Sequence, residues 1–140
     1  MKKIIFTTIA CLFLSFVGFS QNTSLNHFFN QYADLEDFTY IFNGKGKCLY
    51  KCLPADLKKE LSSVNFTKML SRCQEMDKKI ISDLKEILNK ENYELVQKIK
   101  NQCQSSETYQ KVSENKDFEQ ITIMANPAQT SIRWISGKLK

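Results

Sequence analysis

The amino-acid sequence predicts an α+β fold in which an antiparallel β-sheet, ending in a four-strand C-terminal meander, carries helices on one face. Two observations support this prediction. Helical patterns of apolar residues interleave with single strand-like segments early in the chain, and four strand-like segments follow one another in the last third. Strands with short connections pair antiparallel, because a parallel pair needs a long crossover. Helices mixed with strands, followed by a run of strands, are typical of α+β proteins.

Residues 1–20 are predicted to be a signal peptide. Two lysines follow the initial Met, Ile4–Phe19 carries no charge, and small residues occupy positions −3 and −1 of a cut before Gln21. This apolar segment contains threonine and serine and is shorter than the roughly 20 residues that usually cross a bilayer. Too few apolar residues precede Cys11 for lipidation there. We therefore expect an exported protein, periplasmic or secreted, that begins near Gln21.

The remaining chain has the size of one domain. Removing the leader from the 140 residues leaves residues 21–140, and the formal net charge falls from +5 to +3. The lysines are scattered rather than grouped in a stripe, which argues against nucleic acid as a partner. No later segment is apolar enough to span a membrane. A single α+β domain of this length can bury a core without metal or disulfide support.

Three segments have helical spacing of apolar residues. The first, residues 25–32, has its apolar residues at Leu25, Phe28, Phe29 and Tyr32. A short helix is predicted at residues 48–53, and Pro54 is expected to end or interrupt it. Residues 76–89 are predicted to form the longest helix, with Leu84 on its apolar stripe.

The predicted strands are rich in aromatic and β-branched residues. Asp37–Phe42 forms the first, closed by a turn at Asn43–Gly44. Residues Val64–Cys73 fit a helix and a strand equally well, and periodicity alone leaves both open. Four further strands are predicted in the last third: Tyr93–Ile99, Thr108–Val112, Phe118–Met124 and Ile132–Ile135. Turn-forming residues separate them at 115–116 and 126–128.

Several of these segments together resemble a family of small exported bacterial proteins known only as a domain of unknown function. The resemblance is carried by residues 25–41, by Lys45 with the helix at 48–53, by Asn92–Val96, and by the closing Ser136–Leu139. It implies an antiparallel sheet covered by helices, with Val64–Cys73 as a strand, and it implies no known activity. The family has aliphatic residues where Cys48 and Cys52 stand here, which suggests that these two positions face a core.

The four cysteines that follow the leader are Cys48, Cys52, Cys73 and Cys103. In an oxidising compartment they could form two disulfides with any of three connectivities. By loop entropy a Cys73–Cys103 bridge would stabilise the fold by roughly 3–4 kcal/mol, against about 2 kcal/mol for Cys48–Cys52. Buried free thiols are the second interpretation. The third is a redox or soft-metal site at Cys48 and Cys52, which share one helix face beside several lysines.

Other candidate chemistry is sparse. His27 is the one histidine and lies among polar neighbours, so a surface position is expected and no catalytic triad is evident. The acidic pair at 36–37 is expected to lie in solvent, at a junction between a helix and a strand. Phe38, Tyr40 and Phe42 alternate along one strand and would share a face. They fit either a core beneath helices or an apolar ligand groove.

Two functional hypotheses follow from these patterns. The first is an exported, non-catalytic binding or interaction module whose ligand is a small molecule or a protein of the envelope or extracellular space. It rests on the lack of a catalytic constellation or a cofactor-binding motif in the sequence. The second is a thiol-dependent redox or soft-metal-handling protein that uses Cys48 and Cys52.

Overall fold

The computed structural model describes residues 23–44 and 53–140. Three helices and six strands occur in this part of the chain. In chain order they are α1 (Thr23–Ala33), β1 (Phe38–Asn43), α2 (Ala55–Glu60), β2 (Leu61–Arg72), α3 (Lys78–Lys90), β3 (Glu94–Lys100), β4 (Ser105–Val112), β5 (Asp117–Asn126) and β6 (Gln129–Leu139).

The six strands form one sheet in the order β1-β2-β6-β5-β4-β3, and every neighbouring pair is antiparallel. The predicted α+β class and antiparallel pairing are confirmed. The sheet is larger than the predicted four-strand meander, because β2 pairs along β6 and brings β1 with it. That pairing joins segments far apart in sequence, so no local pattern could have revealed it.

The ambiguous segment around residues 64–73 is a strand. It belongs to β2, which begins at Leu61 and pairs on one side with β1 and on the other with β6. Two neighbours satisfy the backbone hydrogen bonds of this segment, and this tertiary context decides between the two periodicities.

One face of the sheet, which we call the helix face, is covered by α1 and α3. Leu25 and Phe29 of α1 and Leu84 and Leu88 of α3 are fully buried there, against strand residues that include Trp134. The predicted helix at 76–89 is thus largely confirmed, since α3 spans Lys78–Lys90 and is the longest helix that the structure describes.

A lysine helps to hold α1 on the sheet. The ammonium of Lys68 on β2 donates a hydrogen bond of 2.6 Å to Oδ1 of Asn26. The same ammonium lies 4.9 Å from the ring centroids of both Phe66 and Trp134. Burial lowers the pKa of Lys68, and the ring faces and the amide oxygen offset this loss of hydration.

The opposite face carries α2, and we call it the α2 face. A second apolar cluster is buried there, formed by Leu53, Leu57, Leu61, Phe118 and Ile135. The prediction that all helices pack on one face is therefore wrong. The expected role of Pro54 is also corrected, because Pro54 precedes α2 with φ −57° and does not end it. Proline suits a helix start, where its missing N–H is not needed. The predicted helix at 48–53 lies outside the described residues except for Leu53.

Candidate functional site

The α2 face has a polar centre. Residues that stand directly opposite each other on antiparallel strands point to the same face, so the strand register defines rows across the sheet. The central row runs through five strands and consists of Met69, Arg133, Thr122, Thr108 and Gln97. A neighbouring row pairs Gln110 with Gln120. Neutral hydroxyl and amide groups therefore extend from one guanidinium toward β3, and Met69 lies on its other side.

A cavity of about 350 Å³ lies between this polar centre and α2. We call it the α2 cleft. Its sheet side is formed mainly by Thr108, Gln110, Gln120, Thr122, Met124 and Arg133. Its helix side is formed by Asp56, Leu57 and Glu60. The volume lies at the small end of the range of sites that bind small molecules.

Three polar residues on the sheet side of the α2 cleft are largely buried. Thr108, Gln120 and Thr122 are buried, with exposed fractions of 8%, 9% and 6%. None of their side chains is joined by a hydrogen bond to another side chain among the described residues. None of the three has a polar side-chain atom that is both fully buried and unpaired. Because they line the cavity, their hydroxyl and amide groups are available to a molecule that enters it.

Arg133 is the charged centre of the α2 cleft. Its Nε is buried and has no hydrogen-bond partner. The ion pairs of Arg72, Lys85, Lys90 and Lys98 do not involve Arg133. Burial lowers the pKa of Arg133 from its ordinary value, which expresses the cost of removing the cation from water. The guanidinium still keeps its proton near neutral pH. The guanidinium of Arg133 therefore lines the cleft with at least one donor, its buried Nε, unpaired.

A second cavity, of about 480 Å³, lies on the helix face beside the start of α3. We call it the α3 cavity. Its lining includes Ile81, Ile123 and Glu107. Glu107 pairs with Lys85 at 3.1 Å and with Lys98 at 3.6 Å, and it accepts a hydrogen bond of 2.9 Å from the hydroxyl of Tyr109.

The charge of Glu107 is thus already matched within the chain. Although burial alone would raise it, the pKa of Glu107 is lowered by the hydrogen bonds and charges of its partners. Burial and the neighbouring Glu107 carboxylate raise the pKa of Tyr109 to about 12. These interactions account for Glu107 without a ligand. The α3 cavity is larger than the α2 cleft, but the buried, unpaired Nε of Arg133 belongs to a residue that lines the cleft.

The three strand aromatics proposed from the sequence lie on the helix face. Phe38 packs against Tyr32, with ring centroids 5.3 Å apart, and Tyr40 is partly buried in the same core. Phe42 contacts Phe66 and remains 55% exposed. Their positions match the interpretation as a core beneath helices more closely than a ligand groove.

The cysteines within the described residues are not paired. Cys73 follows the end of β2 and Cys103 lies between β3 and β4, and both are exposed free thiols. Strands β6 and β5 separate β2 from β4, which corresponds to roughly 14 Å at ~4.8 Å per strand. A disulfide needs α-carbons about 4.4–6.8 Å apart. The structure therefore does not support the predicted Cys73–Cys103 bridge, and Cys48 and Cys52 lie outside the described residues.

The remaining polar candidates are on the surface. His27 is an exposed residue of α1. Asp37, from the acidic pair, lies 3.5 Å from Arg72 in an exposed ion pair at the start of β1. Within residues 23–44 and 53–140, no three histidine, cysteine or acidic side chains are grouped as metal ligands would be. No helix in these two ranges has the length and hydrophobicity needed to cross a bilayer.

Sequence reasoning missed Arg133. The segment Ile132–Ile135 was predicted as a strand, and its alternation places Arg133 on the face opposite Ile132 and Trp134. That alternation could have assigned Arg133 to the face opposite Trp134. The alternation could not show that α2 packs over the same face and forms a cleft around Arg133.

No protein family model matches this sequence, and no match was found among the curated proteins or the solved structures. The candidate site therefore rests on the geometry of this chain alone. The resemblance to a family of exported proteins stays a prediction.

Proposed function

We propose that this protein is an exported, non-catalytic binding module and that its ligand binds in the α2 cleft. One observation carries the proposal: the buried Nε of Arg133 has no hydrogen-bond partner, and this guanidinium lines a cleft together with neutral hydroxyl and amide side chains. Leaving a buried donor unsatisfied costs about 1–3 kcal/mol, and more for a charged group. A ligand that supplies the missing hydrogen bond would recover part of this cost.

The chemistry of the cleft favours binding over catalysis. Thr108, Thr122 and the glutamine side chains of the sheet side do not titrate near neutral pH, so they offer neither a general base nor a general acid. Neutral donors and acceptors around one fixed cation orient a bound molecule and give it specificity. The carboxylates on α2 are exposed and belong to the rim.

A fragment screen by NMR on the purified mature protein tests this proposal. We expect bound fragments to shift the backbone signals of Thr108, Gln120 and Thr122. Thr122→Phe, which fills the α2 cleft, should abolish those shifts. The matched control is Ser105→Phe, which narrows the α3 cavity and should leave them unchanged.

Before titration, the NMR spectrum of each variant must show the dispersed amide signals of a folded protein. Loss of binding is then not confused with loss of the fold. Fragments that bind equally well to wild type and to Thr122→Phe would refute the α2 cleft as the ligand site. Binding abolished by Ser105→Phe alone would assign the site to the α3 cavity.

A further inference from the structure

Charged and neutral side chains are distributed unevenly in the α2 cleft, and this distribution indicates the chemical class of its ligand. Arg133 is the only cation among the described residues that line it, and it lies at the centre of the sheet. On β5 and β4, Thr122 and Thr108 extend the same row toward the edge strand. Among the described lining residues, the cleft therefore has one cationic position and a neutral polar track leading away from it.

We infer that the ligand is a small molecule with a single carboxylate, which Arg133 binds through its guanidinium fork, and with a neutral polar remainder that lies along β5 and β4. This inference rests on the proposed function, since it names the ligand class of that same site. Arginine and carboxylate match in shape, because both groups are planar and two parallel N–H···O bonds join them.

The charge of the cleft favours a monoanion over a dianion. The lining carries one positive charge, on Arg133, and two negative charges, on Asp56 and Glu60 of α2. One carboxylate neutralises the guanidinium and adds little repulsion from the rim. A phosphate dianion would keep a negative charge beside the two α2 carboxylates, and it would find no second cation among the described lining residues.

The neutral track determines the rest of the ligand. Thr122, Thr108 and Gln97 lie one, two and three strands from Arg133, so the track extends roughly 14 Å at ~4.8 Å per strand. In the neighbouring row, Gln110 and Gln120 add amide groups that both donate and accept hydrogen bonds. A remainder with amide or hydroxyl groups satisfies these side chains, whereas a purely aliphatic one would leave them unpaired.

Three probes of similar size test the charge requirement: N-acetylglycine, its neutral amide N-acetylglycinamide, and inorganic phosphate. They are titrated into the 15N-labelled mature protein while the Nε–Hε signal of Arg133 and the amide signals of Thr108 and Thr122 are followed. We expect N-acetylglycine to shift all three signals saturably. Binding of the other two probes should be at least about tenfold weaker.

Variants identify the group that binds the carboxylate. Arg133→Gln should abolish the preference for N-acetylglycine over its amide. Arg133→Lys keeps the charge but loses the fork, so it should retain only part of that preference. Arg72→Gln is the matched control, because Arg72 lies on the helix face, paired with Asp37, and its loss should change nothing in the cleft.

The possible failures are distinguishable. Equal binding of N-acetylglycine and its amide, or tighter binding of phosphate, would overturn the carboxylate inference and leave the proposed function standing. No shift with any of the three probes would overturn the inference as well. The proposed function fails separately, if the fragment screen finds no ligand whose binding Thr122→Phe removes.

Discussion

The hydroxyl of Tyr93 donates a hydrogen bond to the carboxylate of Glu119 inside the fold. Both residues are 7% exposed, and Tyr93 belongs to the core of the helix face. Burial is the main cause that raises the pKa of Tyr93 well above its ordinary value of 10.0, and the nearby Glu119 charge adds to it.

This pair predicts a loss of stability at alkaline pH. Above about pH 10 an unfolded tyrosine loses its proton, whereas folded Tyr93 keeps it, so rising pH favours the unfolded state. One such tyrosine lowers the free energy of unfolding by up to ~1.4 kcal/mol per pH unit. Tyr93→Phe should therefore reduce the slope of unfolding free energy against pH above pH 10, measured by urea denaturation. The same slope in wild type and variant would contradict this assignment.

Gly137 is expected to tolerate no side chain. A β-carbon at this position would lie 2.4 Å from the carbonyl oxygen of Ser63 and 3.3 Å from the α-carbon of Val64. Both atoms belong to the backbone of β2, which is paired to β6 at this point and cannot move away cheaply. Gly137→Ala should destabilise the protein by about 1–3 kcal/mol, as expected for an overpacked site.

Gly44→Ala is the control for this substitution. There the nearest atoms are ring carbons of Phe42 at 3.5 and 3.6 Å, which is ordinary contact. We expect a change of no more than about 0.5 kcal/mol, typical of surface sites. Equal thermal stability of the Gly137→Ala variant and wild type would show that β2 and β6 do not approach so closely.

Leu84 tests the packing of α3 on the sheet. Its side chain is 0% exposed, so Leu84→Asp would place a carboxylate in the core without a partner. We expect a loss of about 4 kcal/mol or more, or failure to fold, measured by thermal denaturation. Ser82→Asp on the exposed side of the same helix should change stability little. An unchanged melting temperature for Leu84→Asp would mean that the stripe is not buried.

The two cysteines of the short segment before α2 are expected to be structural. The predicted family resemblance implies aliphatic residues at these positions, so we expect a Cys48→Val/Cys52→Leu variant to stay folded. It should also bind N-acetylglycine as wild type does, because the proposed site uses no thiol. A folded double variant that loses its cellular phenotype, or that loses stoichiometric Cu(I) binding present in wild type, would favour the thiol hypothesis instead.

Export is tested on protein from its native envelope. We expect the mature chain to begin at Gln21 or next to it, since the small residues before Gln21 match a signal-peptidase site. Intact-mass analysis provides the measurement. Retention of residues 1–20, or a diacylated Cys11, would refute the predicted cleavage.

The sequence by itself determined the class of the fold and most of its elements. Period-3.6 spacing identified α1 and α3, and alternation with turn residues located β1 and the four C-terminal strands to within a few residues. These signals are local, because each element must bury one face whatever its neighbours are. The buried stripe through Leu84 was predicted for the same reason.

Only the tertiary structure decided the rest. The strand state of β2, the extension of the sheet to β1, and the return of α2 over the opposite face all depend on contacts between distant segments. Arg133 illustrates the difference: alternation assigns its face, but the cleft around it exists because β4, β5 and α2 meet there. Such long-range pairing is selected by the total burial and hydrogen bonding of the whole chain, and no local window of sequence contains that sum.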